Sequence, residues 1–177
     1  MCDAATGPRH AFMMTPEIAK LVRMPLSDVL AADAVIPALK AQSKKQALQE
    51  LSEYASKISG LSSHEIFESL MQRERLGSTG IGNGIAVPHG KLAKSKHLFG
   101  IFARLDKAID FESLDGEPVD LIFLLIAPEN AGADHLKALS RVARILRDPA
   151  IAQKLRSTSE QAALFSLLTQ VPTPYAA

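Results

Sequence analysis

The sequence predicts an α/β sandwich, with a small mixed sheet covered by helices on both faces. Three observations carry that expectation. The elements run as strand, two helices, several strands and then helices, an order that suggests layered packing. Two segments open on Ser-x-x-Gln and Ser-x-x-Glu and continue with apolar residues at helical spacing. A third segment, VDLIFLLIA (Val119–Ala127), is apolar almost throughout, as befits a strand buried on both sides.

In chain order, residues 1–24 have no sustained period and read as an extension outside the core, flexible or carrying one short helix. A single domain is expected over 25–170, followed by a loose tail over 171–177. AVIPALKA (Ala34–Ala41) is short, apolar and interrupted by proline, which suits an edge strand. The first helix opens at Ser43 with Gln46 three residues on. It places Ala47, Leu48, Leu51, Tyr54, Ala55 and Ile58 inward and stops at Gly60. The second opens at Ser62 with Glu65, turns Ile66, Phe67, Leu70 and Met71 inward, and ends near Gly77. Strands are expected at Ile85–Val87, His97–Leu105 and Val119–Ala127, the last after a turn at Asp115–Pro118. A third helix covers Asp134–Arg147 with Leu136, Leu139, Val142, Ala143 and Leu146 as its apolar stripe, and Pro149 breaks it. Short helices follow at Ile151–Arg156 and Glu160–Leu168.

Composition narrows the function classes. The 177 residues carry 20 basic and 19 acidic side chains, so no net field draws the chain to nucleic acid or anionic lipid. Cys2 is the single cysteine, which leaves no internal disulfide and fits a reducing compartment. The longest apolar run falls far short of the ~20 residues that span a bilayer, and the N-terminus has no continuous apolar signal region. A cytoplasmic protein without direct membrane insertion is the expectation.

The most pointed segment is STGIGNGIAVPHGK (Ser78–Lys91), which holds four of the ten glycines and ends on Pro-His-Gly. It is not a Walker A loop: five residues separate Gly84 from Gly90, and Leu92 stands where a hydroxyl would hold Mg²⁺. Nor is it a dinucleotide fingerprint, because Ile85 occupies the third glycine position. Closely spaced glycines can present successive N–H groups to an anion. A phosphate-binding loop is therefore expected from Ser78, Thr79, Gly80, Gly82, Asn83, Gly84 and Gly90. His89 is held at a strand end between Pro88 and Gly90. Beside such a loop a neutral imidazole suits phosphoryl acceptance. A nearby carbonyl taking its Nδ1–H would leave Nε2 as the attacking atom. His135, at a helix start, and Arg73, sixteen residues before His89, are candidates to stabilise the phosphate.

The stretch Gly77–Lys91 closely resembles the active-site signature of the enzyme IIA domains of the bacterial phosphotransferase system, in the mannitol/fructose class and its nitrogen-regulatory branch. The resemblance runs from about Leu26 to Gln170 and includes SKKQAL, PVDLIFLLIAP and HLKALSRVARIL. It implies a mixed sheet of about five strands between helices. It also implies phosphate transfer to His89 from a phosphohistidine carrier resembling HPr, with His135 and Arg73 in the supporting positions and no cofactor. Phosphorylation state would be signalled to regulatory targets such as kinases or transporters. The lack of fused IIB or IIC segments favours a free-standing regulator. A sugar-specific IIA component passing phosphate to a separate IIB is the alternative.

Two other classes are weighed beside it. One is a binding module in which His89 is never phosphorylated. The other is a metal-dependent hydrolase using His89, His135 and Asp134, although no HExxH or HxH spacing is present. No metal is expected on the leading reading. Lys137, Arg141 and Arg144 form a charged stripe, either a solvated helix face or a surface that steers an acidic partner. His10, His64 and His97 read as solvated or locally satisfied.

Overall fold

The computed structural model describes residues 25–170, so the expected extension and tail lie outside the described residues. A single 3₁₀ turn at Leu26–Asp28 leads into strand β1 (Leu30–Leu39). Helices α1 (Lys44–Ser59) and α2 (Ser63–Arg75) follow, then β2 (Gly80–Gly82), β3 (Ile85–Ala86), β4 (His89–Leu92), β5 (Phe99–Ile109) and β6 (Val119–Pro128). The described chain closes with α3 (Ala133–Arg147), α4 (Pro149–Ser157) and α5 (Gln161–Thr169).

The six strands form one mixed sheet in the order β1-β5-β6-β3-β2, with β4 also pairing to β6. β1 is an edge strand, parallel to β5; β5 and β6 are antiparallel; β3 and β4 both run parallel to β6. Every residue from Leu121 to Ala127 is buried, which requires cover on both faces of the central strand. The three short strands β2, β3 and β4 raise the count above the expected five. β3 and β4 keep one register along β6, with Ala86 opposite Ile122 and His89 opposite Leu125. They separate at Val87-Pro88, where Pro88 has no N–H to give the ladder.

The helix starts follow the sequence closely. Ser43 Oγ accepts from Gln46 N at 3.2 Å, and Ser62 Oγ from Glu65 N at 3.4 Å. Gly60 ends α1 with φ 75°, a left-handed cap. Three expectations are corrected. Pro149 does more than end α3: it is the first residue of α4, capped by Asp148, whose Oδ1 accepts from Ala150 N at 2.9 Å. The inner face of α3 is His135, Ala138, Val142, Ile145 and Leu146, while Leu136 is 67% exposed. Ile58, at the last turn of α1, lies at the surface.

Candidate functional site

The site forms where α2 crosses β4. Gly90 permits this approach, because a Cβ there would lie 2.4 Å from Ser69 Oγ. Ser69 Oγ donates to Lys91 O at 3.1 Å and fixes the helix to the strand. One turn further along α2, Arg73 reaches the first residue of β4: its Nε donates to His89 Nε2 at 3.2 Å, and its Nη1 to Gly77 O at 3.0 Å.

His89 Nδ1 lies 2.9 Å from Val87 O. A carbonyl only accepts, so Nδ1 carries the proton and Nε2 keeps its lone pair. His135 enters from the third position of α3. Its ring centroid is 5.5 Å from that of His89, with the planes at 64°. The His135 side chain is buried, and its Nε2 has no hydrogen-bond partner among the described residues. Gly132 supplies no side-chain cap to α3, and Asp134 in the first turn sets a carboxylate against the positive end of that helix.

Both imidazoles are held below the ordinary histidine pKa. For His89 the chief cause is burial, seconded by the Arg73 guanidinium; the Val87 carbonyl and Glu74 pull the other way. For His135 the cause is again burial, then the neighbouring His89 and Lys91. The pair is therefore neutral at pH 7. A neutral ring with its lone pair at Nε2, flanked by a guanidinium and an unpartnered imidazole, is equipped to form a covalent bond to an electrophile and to receive negative charge.

The glycine-rich segment is placed differently from the expected cradle. β2 and β3 form a hairpin closed by Asn83 and Gly84, with φ 56° and 77°. Positive φ at both central residues is the type I′ turn that Asn-Gly favours. Gly84 O accepts from Asp120 N and Leu121 N, near the start of β6, whereas His89 pairs with Leu125. At about 3.3 Å per residue the tip is roughly 15 Å from His89 along the strand. The local donors are also committed. Thr79 N and Oγ1 bind Glu74, Gly80 N binds Ser78 Oγ, Ser78 Oγ binds Phe111 O, and Asn83 N binds Asp115 Oδ2. Gly80 and Gly82 serve close packing against Ser113 and Asp115. Of the seven expected loop residues, Gly90 follows His89 on β4 with its Cα turned to Ser69, Thr79 is tied to the same segment by the bond from Val87 N to its carbonyl at 3.0 Å, and the Asn83-Gly84 tip lies away from the histidine.

Three participants escaped sequence reasoning: Val87, through its carbonyl, Lys91, and Glu74. Only Glu74 had a visible signal, since it continues the inward positions Ile66 and Leu70 at four-residue spacing. The considered metal site does not form: among the described residues no three His, Cys, Asp or Glu side chains converge, and Asp134 is exposed. His64 and His97 are exposed, while His10 lies outside the described residues. Along the charged stripe Arg144 is exposed, and Lys137 and Arg141 are half-buried. No described helix is long and apolar enough to cross a membrane.

Comparison with known proteins places this geometry in context. A nitrogen regulatory protein of Bradyrhizobium diazoefficiens is 58% identical over 149 residues, covering 84% of this chain and 97% of the relative. The crystal structure of the nitrogen regulatory protein IIA-Ntr from Neisseria meningitidis superposes with a TM-score of 0.78 at 36% identity, covering 81% of this chain and 99% of that one. Escherichia coli mannitol enzyme IIA, solved in complex with phosphorylated enzyme IIB, matches with a TM-score of 0.67 over 79% of this chain and 98% of its own; at 20% identity that likeness is one of fold. Residues 28–171, nearly the whole described chain, match the family of the phosphoenolpyruvate-dependent sugar phosphotransferase system, EIIA 2, and the chain belongs to that family.

Proposed function

We propose that the protein is a regulatory phosphocarrier that takes a phosphoryl group on His89 Nε2 from a phosphohistidine carrier resembling HPr. The observation that carries this reading is the His89 Nδ1–Val87 O contact of 2.9 Å, which leaves Nε2 unprotonated. In the transfer, the Nε2 lone pair forms the new N–P bond while the carrier's N–P bond breaks, and that electron pair returns to the carrier's imidazole. The His89 ring becomes a phosphoimidazolium whose Nδ1–H keeps the Val87 carbonyl. Arg73 gives up its bond to Nε2 and turns its N–H groups to the phosphoryl oxygens. His135, as the Nε2–H tautomer, donates to another of those oxygens and gains the partner it lacks.

The relatives named nitrogen regulatory protein support a regulatory role; the proposal sets that role in the cytoplasm, with the phosphorylation state read by target proteins such as kinases or transporters. The bond broken and the bond made are alike, so the step runs in both directions. The test is incubation with a phosphorylated HPr-like carrier, followed by phosphorus NMR. An Nε2 adduct on the parent protein, absent from His89→Ala, is expected. Stoichiometric labelling of folded His89→Ala, or an Nδ1 adduct, sinks the reading.

A further inference from the structure

Glu74 is a charged residue whose side chain is 3% exposed, one position after Arg73. A buried carboxylate must be paired and hydrogen-bonded to persist. Lys44 Nζ, at the start of α1, stands 2.7 Å from its Oε2. Thr79 N donates to Oε1 at 3.2 Å, and Thr79 Oγ1 donates to the same atom. Thr79 is thereby fixed on both its backbone and its side chain. Its carbonyl accepts from Val87 N at 3.0 Å, and the Val87 carbonyl is the group that accepts His89 Nδ1–H. One continuous chain of hydrogen bonds therefore runs from Lys44 through Glu74, Thr79 and Val87 to the proton on His89.

A second arm ends on the same segment. Lys44 Nζ lies 5.1 Å from the centroid of the Phe111 ring and 3.2 Å from Glu112 Oε2. The Phe111 carbonyl accepts from Ser78 Oγ, which in turn accepts from Gly80 N. Glu112 has φ 57°, a left-handed backbone unusual for glutamate, and its N donates to Asp110 Oδ1 at 2.9 Å. Burial works against the Lys44 ammonium, but Glu74 and Glu112 more than offset it, and its pKa lies above the ordinary lysine value. Lys44 is thus a charged anchor under residues 78–80, the segment whose position aims the Val87 carbonyl.

We propose that Glu74 and Lys44 are positioning residues that hold His89 in its Nδ1–H tautomer, acting through Thr79 and Val87. The consequence for transfer rests on the phosphoryl-acceptor reading of His89. An imidazole without such constraint prefers the proton on Nε2, the atom that must be bare to attack. The network, together with the Arg73 Nε–H that donates to Nε2 at 3.2 Å, reverses that preference, and the network itself acts without touching the ring's reactive side. Neither residue contacts the phosphoryl group, so their effect is on the share of His89 ready to react.

The experiment is nitrogen-15 NMR of histidine-labelled full chain at pH 8, which reads the tautomer of each imidazole directly. In Glu74→Gln and in Lys44→Met the His89 tautomer ratio shifts about fivefold toward Nε2–H, the bias that one hydrogen bond supplies. The rate of phosphoryl transfer falls in proportion to the lost Nδ1–H share. Lys44→Arg, which keeps a cationic donor for Glu74, retains the parent ratio. If either single variant fails to fold because it leaves a buried group unpaired, the double variant Lys44→Met/Glu74→Gln, which leaves no buried charge without a partner, decides. Folded variants with the parent ratio overturn the proposal, as does a transfer rate that drops while the ratio stays fixed. The tautomer readout needs no phosphate, so a parent protein that takes phosphate elsewhere would refute the acceptor reading and leave this result standing.

Discussion

Replacing Gly90 by alanine sets two expectations against each other. By propensity, glycine in a strand is the worse residue, and alanine there gains roughly 0.5–1 kcal/mol. Packing says the opposite. The new Cβ would lie 2.4 Å from Ser69 Oγ and 3.2 Å from Ser69 Cβ. The hydroxyl can rotate away, but it then forfeits its bond to the Lys91 carbonyl, about 0.5–1.5 kcal/mol. The carbon–carbon contact remains closer than the ~3.5–4.0 Å optimum, so α2 must shift outward as well. Overpacking of this size costs about 1–3 kcal/mol. For a chain of this length a loss of 2 kcal/mol lowers the melting temperature by roughly 4–8 °C. Arg73 rides on the same helix one turn beyond Ser69, so the shift also lengthens its 3.2 Å contact with His89 Nε2. Transfer should slow by up to about tenfold. Calorimetry and a carrier-transfer assay measure the two effects. Ser69→Ala removes the hydroxyl, so the double variant should lose less than the sum of the singles. A Gly90→Ala protein as stable and as fast as the parent, or strictly additive losses, would refute the reasoning.

Burial disfavours the charged form of both His89 and His135, so the folded protein binds fewer protons than the unfolded chain below the ordinary histidine pKa of about 6.5. Their contribution to stability therefore falls as pH drops from that value toward their depressed folded values and then levels off, which urea midpoints across pH 4.5–8 will show, while transfer holds its rate below about pH 6.5. Gly84→Ala forces a side chain onto φ +77° and within 2.7 Å of Arg156 Nη2, so it destabilises by about 1 kcal/mol or more. Because the hairpin tip is remote from His89, the folded variant should transfer phosphate at the parent rate; a large rate loss would return the tip to the site. Finally, phosphorylation gives the unpartnered His135 Nε2 an acceptor, so it should raise the melting temperature of the parent and raise it less in His135→Ala. Equal rises in both proteins would remove His135 from the phosphate's surroundings.

Where the sequence was legible, one local rule decided the structure. Ser43 and Ser62 cap because a hydroxyl one position before a helix reaches the third N–H, whatever lies beyond. The run from Leu121 to Ala127 is buried because nothing in it tolerates water. Legibility failed where two rules competed. The apolar count in α3 favoured a stripe through Leu136, but the fold turns His135 and Ala138 inward and rotates that end of the helix by about one residue, or 100°. β1 begins at Leu30 although Ala31, Ala32 and Asp33 are exposed, since its ladder partner β5 extends that far. The glycines were the sharpest conflict. Asn83-Gly84 is a strong hairpin signal, yet four glycines near a histidine also fit an anion cradle, and the hairpin is what forms.

The identity of His89, Arg73 and His135 as a cluster was readable, because each is a side chain with its own chemistry. What makes the cluster reactive was not, because it is written in the backbone. The proton on His89 is fixed by a carbonyl two residues earlier, and every residue type offers the same carbonyl. Only the route by which Val87 is held distinguishes this carbonyl from any other, and that route passes through a buried carboxylate and a lysine more than forty positions from the histidine. A motif scan stops at Pro-His-Gly. On the proposed reading, the tautomer of His89 is set outside the motif, by a lysine at the start of one helix and a glutamate on the inner face of the next.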